Sequence, residues 1–263
     1  MKKKDKSATI LEESIEKLLN ENTDFDTVET YKSIRTNIMF SISKSDSGKV
    51  IAITSSNPGE GKTTTAINLA ITFAQLGAKV ILLDCDMRKA RVHRYLQLHR
   101  TDGISNLLCG FTDFDKAVKR NVRENLDVIT AGEIPPNPAE LLETEELGNL
   151  LEKLKGEYDY IFIDSPPVNI VVDAVIIAKQ CTGVIMVVRE NETTFDMLDT
   201  AMEAIKKSNT KIIGAIALGG EGKTKKYGYI KKGRYGYRYG RRYGYQYNYR
   251  YGDDPAEEGE NTK

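Results

Sequence analysis

The sequence has no tryptophan and only three cysteines in 263 residues. Three cysteines cannot form a disulfide framework, and an odd number is typical of a reducing compartment. No apolar run reaches the roughly 18 residues that a membrane span requires. The basic start, Met1 to Asp5, is followed by no apolar segment. These absences predict a cytoplasmic protein with no signal peptide and no membrane-spanning segment.

Net charge is also missing, because 38 basic residues balance 38 acidic ones. Residues 223–251 nevertheless contain ten Lys or Arg and no acidic residue, which leaves 28 basic against 38 acidic residues elsewhere. The same window holds ten of the 14 tyrosines, and Ile230 is its one aliphatic residue. Such a segment buries too little apolar surface to offset its ordering entropy, so residues 221–263 are predicted to be a disordered tail.

Residues 46–220 show short apolar runs that alternate with helical patterns. The predicted strands are 50–54, 80–84, 126–130, 160–164, 183–189 and 211–218, and the predicted helices are 62–76, 139–155, 172–181 and 194–208. Continuous apolar strands separated by helices indicate an α/β fold with a doubly wound, mostly parallel sheet. Helical spacing over 7–21 and 27–43 predicts a separate region of N-terminal helices, residues 1–45.

A phosphate-binding loop joins the first predicted strand to the helix that follows it. Ser56 to Thr63 matches the P-loop pattern, except that Ser56 replaces its first glycine. Small residues allow backbone N–H groups to surround a phosphate, and the helix N-terminus favours negative charge. The predicted nucleotide-binding residues are Ser56, Asn57, Pro58, Gly59, Glu60, Gly61, Lys62, Thr63 and Thr64. The pattern predicts a fold of the P-loop NTPase type.

Carboxylates end two of the predicted strands. Asp164 closes the strand 160–164, a position from which nucleotide enzymes hold Mg²⁺. Asp84 ends the strand 80–84 and Asp86 follows it two residues later. Negative charges so close together at this position are favourable only beside a metal ion or an incoming hydroxyl. Cys85 lies between them, and no basic residue that could activate it as a nucleophile is evident in the sequence. It is interpreted as a buried residue of the core.

Together these motifs resemble the bacterial tyrosine kinases of capsule and exopolysaccharide synthesis, P-loop enzymes that phosphorylate their own C-terminal tyrosine cluster. The resemblance covers nearly the whole chain, and its most specific part is the Asp84, Asp86 and Arg88 element together with the tyrosine tail. It also involves residues 29–38, 54–64, 81–88, 135–142, 164–168 and 173–174. The resemblance implies the stand-alone cytoplasmic form of the kinase.

Carried over residue by residue, the resemblance implies the following roles. Lys62 and Thr63 bind ATP phosphates and Mg²⁺, Asp84 and Asp164 are linked to the metal ion, and Asp84 or Asp86 activates the attacking tyrosine. A tyrosine hydroxyl with a pKa near 10 needs such help at neutral pH. The sequence does not decide between the two aspartates. The implied phosphoacceptors are Tyr227, Tyr229, Tyr235, Tyr237, Tyr239, Tyr243, Tyr245, Tyr247, Tyr249 and Tyr251.

The resemblance also implies an assembly and partners. Glu29, Lys32 and Arg35 correspond to an oligomerisation motif, so a homo-oligomeric ring with phosphate transfer between subunits is expected. The implied partners are a transmembrane activator (a polysaccharide co-polymerase), which recruits the kinase to the inner face of the membrane, and a phosphotyrosine phosphatase. Nucleic acid is not an expected partner.

Two residues depart from the family pattern. Lys32 stands where the family has arginine, and lysine lacks the planar fork that binds a carboxylate through two bonds. In the family, an asparagine that recognises adenine commonly lies at or just after the end of the last strand. Residues 214–219 of this chain, Gly-Ala-Ile-Ala-Leu-Gly, contain no asparagine. Adenine selectivity is therefore less secure than phosphate binding.

Two alternatives come from other functional classes. A partitioning or division-site ATPase would share the fold and Asp164, but it would carry a lysine at the position of Asn57. The basic, tyrosine-rich tail could instead bind single-stranded nucleic acid, through phosphate contacts and base stacking. His93 and His99 are interpreted as surface histidines, because no second metal ligand lies near them in the sequence.

Overall fold

A computed structural model describes residues 11–42 and 48–219 of the chain. The predicted tail and its ten tyrosines lie outside these residues. Among the described helices, none is long and apolar enough to cross a membrane.

The centre of the fold is one seven-stranded sheet. Its strands are β1 (Lys49–Ser55), β2 (Val80–Asp84), β3 (Val118–Arg123), β4 (Leu126–Ile129), β5 (Tyr160–Asp164), β6 (Gly183–Arg189) and β7 (Ile212–Leu218). Their order is β3-β4-β2-β5-β1-β6-β7, and every neighbouring pair is parallel except β3 and β4. This confirms the predicted doubly wound, mostly parallel α/β fold.

Helices cover both faces of the sheet. They are α1 (Phe25–Ser41), α2 (Lys62–Ala74), α3 (Val92–Tyr95), α4 (Ile104–Leu108), α5 (Phe114–Ala117), α6 (Pro138–Glu143), α7 (Glu145–Glu157), α8 (Asp173–Ala178) and α9 (Phe195–Lys206). A further helical turn and a half occupies residues 11–16. Helix α1 begins where the Asp24 carboxylate accepts a hydrogen bond from the Thr27 N–H, which is a regular N-terminal cap.

The continuous apolar strands are explained by burial on both faces. Val50 and Ala52 of β1 pack into the cluster that contains α7, α8 and α9. Ile51 and Ile53 alternate with them and pack into the opposite cluster, against α1 and α2. A strand that is buried on both faces does not alternate apolar and polar residues. Its sequence is a continuous apolar run, and the strands could be predicted from such runs.

Some predicted elements differ in extent. The helix predicted over 139–155 is two helices, because Thr144 adopts an extended backbone, and its hydroxyl donates to the Leu141 carbonyl. The helix predicted over 7–21 is helical at 11–16 among its described residues. Strand β3 was not predicted, because its sequence, Val-Lys-Arg-Asn-Val-Arg, is polar and largely exposed.

Candidate functional site

The P-loop leads from the end of β1 into the first turn of α2. Gly59 and Gly61 have positive φ angles of 91° and 92°, a conformation that side chains other than glycine rarely adopt. A Cβ atom at Gly61 would also lie 2.5 Å from Leu218 Cδ1 on β7, so the Leu218 side chain would have to move. The two glycines therefore fix the turn that presents backbone N–H groups at the start of α2.

A buried side chain holds this loop from within. The Glu60 carboxylate accepts a hydrogen bond from the Asn57 N–H at 2.9 Å and another from the Thr193 hydroxyl. Glu60 is 3% exposed. The Ser56 hydroxyl is buried and has no hydrogen-bond partner among the described residues. The loop is thus braced by its own glutamate and by the segment after β6, a contact that the sequence did not indicate.

Strand register brings two of the predicted carboxylates together. Asp84 ends β2 and Asp164 ends β5, and the two residues are direct partners in the parallel pairing of these strands. Neighbouring strands lie about 4.8 Å apart, with paired side chains on the same face. Both residues are fully buried. Asp86, two residues after β2, is 3% exposed and lines the cleft above the P-loop.

Lys62 lies at the centre of these carboxylates. Its Nζ is 2.7 Å from Asp86 Oδ2 and 3.3 Å from Asp164 Oδ1. Burial opposes the ammonium charge, but the carboxylates of Asp164 and Asp86 outweigh it and raise the pKa of Lys62. The lysine is therefore charged at neutral pH.

One ammonium faces three carboxylates. Asp84 Oδ1 and Asp164 Oδ2 are buried and accept no hydrogen bond from any described residue. Burial first, and repulsion by Asp164 second, raise the pKa of Asp84 well above its ordinary value. Burial also raises the pKa of Asp164, against the attraction of Lys62. Orphaned carboxylate oxygens with raised pKa values are a mark of a functional site rather than a structural ion pair.

The loop after β2 is fixed by a second ion pair. Arg88 donates to both carboxylate oxygens of Asp173, at 2.9 and 3.1 Å. Asp173 is fully buried at the start of α8. A bidentate arginine–carboxylate pair fixes orientation as well as distance. It therefore holds the segment between Asp86 and α3 against the body of the fold.

The N-terminal segment closes one side of the site, which the sequence did not indicate. The buried Asn68 side chain of α2 accepts from the Leu19 N–H at 2.9 Å and donates to the Lys17 carbonyl at 3.0 Å. Glu13, Ser14 and Lys17 thereby line the cleft of about 270 Å³ above the P-loop. The other lining residues are Pro58, Gly59, Gly61, Lys62, Thr63, Thr64, Asp86, Lys89, Arg91, Tyr95, Pro167 and Arg189.

The three residues of the oligomerisation motif lie on α1. Lys32 and Glu29 form an exposed ion pair at 2.8 Å. Arg35 Nη1 donates to the Thr72 carbonyl on α2 at 2.7 Å. Arg35 therefore has a contact within its own chain, whereas Glu29 and Lys32 are about 45% exposed and face solvent.

The donor set suits Mg²⁺ bound with a nucleotide. Mg²⁺ prefers oxygen ligands and is usually held by one or two carboxylates, waters and substrate phosphates. The orphaned oxygens of Asp84 and Asp164 are such atoms, and so is the hydroxyl of Thr63, which lines the cleft from the first turn of α2. Within residues 11–42 and 48–219, no group of three His, Cys, Asp or Glu forms a site made of protein ligands alone. The residues present therefore fit a metal ion shared with phosphates.

Comparisons with known proteins agree with this geometry. The family model "AAA domain" matches residues 48–216. "Tyrosine-protein kinase YwqD" of Bacillus subtilis (strain 168) is 41% identical over 202 residues, which are 76% of this chain and 85% of that protein.

Two solved structures show the same likeness. The chimerical protein CapA2B2 has a TM-score of 0.71 and 35% identity, over 75% of this chain and 86% of that one. The kinase domain of Escherichia coli tyrosine kinase ETK has a TM-score of 0.70 and 29% identity, over 81% of this chain and 80% of that one.

Proposed function

The chain belongs to the bacterial tyrosine-protein kinases, and we propose that it transfers the γ-phosphate of ATP to the tyrosine cluster of its own C-terminal tail, between subunits, and thereby regulates capsule and exopolysaccharide synthesis. In this proposal residues 1–45 serve assembly, residues 46–220 carry out phosphate transfer, and residues 221–263 contain the acceptor tyrosines. The observation that carries it is the contact of Lys62 with both Asp86 and Asp164.

The residues of the site divide the work of phosphate transfer. The backbone N–H groups of the P-loop and the charged Lys62 bind and orient the β- and γ-phosphates. Thr63, Asp84 and Asp164 are the proposed ligands and neighbours of Mg²⁺. When bound, Mg²⁺ neutralises the negative charge that develops on the phosphates. The cleft wall formed by residues 11–20 limits the access of water to these groups.

Position separates the roles of the two aspartates after β2. Asp84 is fully buried, and its Oδ2 accepts from the Val92 N–H at 3.2 Å. Asp86 lines the cleft, and its Oδ1 accepts from the Lys89 N–H at 2.9 Å. An acceptor tyrosine that enters the cleft reaches Asp86 before Asp84. We therefore propose that Asp86 accepts the proton of the tyrosine hydroxyl and that Asp84 helps to position Mg²⁺.

The proposal is tested by Lys62→Met in the full chain. We expect autophosphorylation, read by anti-phosphotyrosine blot and mass spectrometry, to fall by about 10²-fold or more, because a preorganised charge on the transferred phosphate is lost. Lys206→Met, which removes an exposed lysine at the end of α9, is the matched control and should label normally. Near-normal labelling of Lys62→Met contradicts the proposal.

Transfer between subunits has its own experiment. One variant carries Lys62→Met with its tyrosines intact, and the other has an intact site with the ten tail tyrosines changed to phenylalanine. Each alone should remain unlabelled, and the mixture should label the Lys62→Met chain. A mixture that stays unlabelled indicates transfer within one subunit.

Assembly through α1 is proposed on the exposure of its motif. Changing Glu29, Lys32 and Arg35 to alanine should give monomers that label slowly, with a rate that rises with protein concentration. Arg35 also bonds to Thr72, so the double variant Glu29→Ala/Lys32→Ala, which keeps that bond, separates assembly from local stability. If light scattering finds the wild-type mass for both variants, α1 is not the interface.

Family membership supports the remaining partners. We propose a transmembrane polysaccharide co-polymerase as activator, recruitment to the inner face of the membrane, and a phosphotyrosine phosphatase that reverses the modification. A partitioning ATPase is the weaker candidate, because Asn57, whose backbone N–H donates to Glu60, occupies the position of the lysine that such ATPases carry.

A further inference from the structure

We infer that Arg189 holds the base of the nucleotide by stacking, and that it does so with little discrimination between adenine and guanine. The inference rests on the proposed nucleotide site, and it concerns a residue that no sequence motif indicated. Arg189 is the last residue of β6.

The sheet order gives the direction in which a nucleotide extends. Asp86 and Asp164, which face the transferred phosphate in the proposed function, follow β2 and β5 on one side of β1. Strands β6 and β7 lie on the other side. A nucleotide whose terminal phosphate lies beside these carboxylates, and whose middle phosphate lies on the P-loop, therefore extends its base toward β6 and β7.

Arg189 spans the space where that base would lie. A Cβ atom on Gly61 of the P-loop would lie 4.0 Å from Arg189 Nη2, and one on Gly219, after β7, would lie 3.9 Å from Arg189 Cγ. The side chain thus reaches from the end of β7 to the P-loop. It lines the same cleft as Lys62 and Thr63.

The guanidinium group is poorly satisfied by the protein. Arg189 Nε is buried and has no hydrogen-bond partner among the described residues. Within the described part of the chain, its one ion pair joins Nε to Glu192 Oε2 at 3.9 Å, and the Glu192 side chain is 64% exposed. A buried N–H donor without a partner is unusual, and the weak hold of the protein on this group leaves it available to a ligand.

A hydrogen-bond relay fixes this arginine to the P-loop. The Arg189 N–H donates to the Thr193 hydroxyl at 2.9 Å, and that hydroxyl donates to Glu60. Glu60 in turn accepts from the Asn57 N–H in the P-loop. The relay sets the distance between the arginine and the phosphate site before any ligand binds, so Thr193 acts as a positioning residue.

The chemistry of the group predicts its selectivity. A guanidinium plane stacks on aromatic rings and attracts them through a cation–π interaction. Stacking uses the face of a base, whereas discrimination between purines requires hydrogen bonds to its edge. Residues 214–219 offer no side-chain amide for that edge. The expected result is a site that binds both purine triphosphates.

The test compares ligands with and without a base. Binding of ATP, GTP and inorganic tripolyphosphate, each with Mg²⁺, is measured by calorimetry on the full chain. Wild type should bind ATP and GTP within about fivefold of each other. Arg189→Ala should weaken both nucleotides by about 3- to 30-fold and leave tripolyphosphate unchanged. Arg189→Lys, which lacks the planar face, should be weakened nearly as much.

The control is Arg123→Ala, which removes an exposed arginine on the edge strand β3 and should change no affinity. Unchanged ATP binding by Arg189→Ala overturns the inference, as does an equal loss for tripolyphosphate, which indicates a phosphate contact. A preference of wild type for ATP of about 100-fold overturns the lack of discrimination. Failure of wild type to bind any nucleotide contradicts the proposed function instead.

The positioning role of Thr193 is tested separately. Thr193→Val, which lacks the hydroxyl, should weaken ATP about threefold, and Thr193→Ser should restore wild-type affinity. In the Arg189→Ala background, Thr193→Val should add nothing, because residues that act through one contact are not additive. Full additivity of the two substitutions overturns this role.

Discussion

Opposite edges of the sheet carry two charged networks that differ in how well they are satisfied. At the carboxyl ends of β2 and β5, Asp84 and Asp164 each leave one buried oxygen without a hydrogen bond. At the amino ends of β4 and β5, the Asp127 carboxylate accepts from the Tyr158 hydroxyl at 2.6 Å and the Asn121 N–H at 2.7 Å, and Arg120 lies 3.1 Å away.

The contrast separates a functional cluster from a structural one. Asp127 has a partner for each oxygen and a cation of its own, so its network stabilises the fold. The Asp84 and Asp164 pair, with Asp86, faces a single ammonium, and such an imbalance costs stability unless a ligand supplies positive charge. Substitutions in the functional cluster should therefore lower activity and can raise stability. Substitutions in the structural cluster should lower stability and leave activity unchanged.

The largest expected effect is on activity at the site. Asp164→Asn should lower tyrosine phosphorylation by about 10²-fold or more, because it removes a charge that acts on the metal ion and the phosphates. Initial rates at saturating ATP measure it. Asp127→Asn, at the opposite edge, should retain the wild-type rate within about twofold; a similar loss in both variants abolishes the contrast.

A second effect is a gain of stability at the same edge. The pKa of Asp84 is raised in the folded protein. At pH values between the ordinary carboxyl pKa and this raised pKa, the native state retains a proton that the unfolded state has lost. The stability of the wild type therefore falls as pH rises from the ordinary carboxyl pKa, about 4, toward the raised value. Asp84→Asn does not titrate and should gain about 1–2 kcal/mol at neutral pH.

Thermal denaturation at several pH values between 4 and 8 measures this gain. The difference between Asp84→Asn and wild type should be small at pH 4 and should grow toward pH 8. A difference that shrinks as pH rises means that the native state stabilises the charged carboxylate, and it contradicts the assignment of this cluster as imbalanced.

In the Asp127 network, a substitution should change the unfolding free energy in the opposite direction. Asp127→Asn should lose about 1–3 kcal/mol of unfolding free energy, because Arg120 and the Asn121 N–H lose a charged partner. Urea denaturation measures it. Asp115→Asn is the matched control, since Asp115 is 93% exposed and 3.7 Å from Arg120, and should change stability by less than about 0.5 kcal/mol. Equal effects in both variants remove any special role of Asp127.

The smallest effect concerns the tyrosine of that network. Tyr158→Phe removes the hydroxyl that donates to Asp127 and accepts from Arg120, so it should cost about 1 kcal/mol. The direct contact of Arg120 with Asp127 remains. The same urea titration should place Tyr158→Phe between wild type and Asp127→Asn, and a larger loss than that of Asp127→Asn reverses the proposed order.

The sequence predicted what is determined locally. Apolar runs such as 80–84 and 160–164 correspond to strands because both of their faces are buried. The P-loop was readable because its glycines and Lys62 lie in one contiguous stretch. Once the sheet was known to be parallel, the positions of Asp84 and Asp164 at strand ends placed them at one edge.

Contacts between distant segments were not predictable in this way. Asn68 binds residues 49 and 51 positions earlier in the chain, and Thr193 reaches Glu60 across 133 positions. Arg189 was not predicted as a binding residue, because a single arginine at the end of a strand belongs to no recognisable sequence motif. Strand β3 was missed because its exposed side chains lack the apolar alternation that marks a half-buried strand.

The Asn68 contact has a consequence for how the site is entered. Residues 11–20 are held on α2 by the two hydrogen bonds of Asn68 and by the buried Leu18 and Leu19. A short segment at the periphery of the fold can detach while the sheet remains folded. The rate at which the cleft opens is then set by this local detachment and not by global unfolding, and exchange of the Leu19 amide proton with solvent is its direct measure.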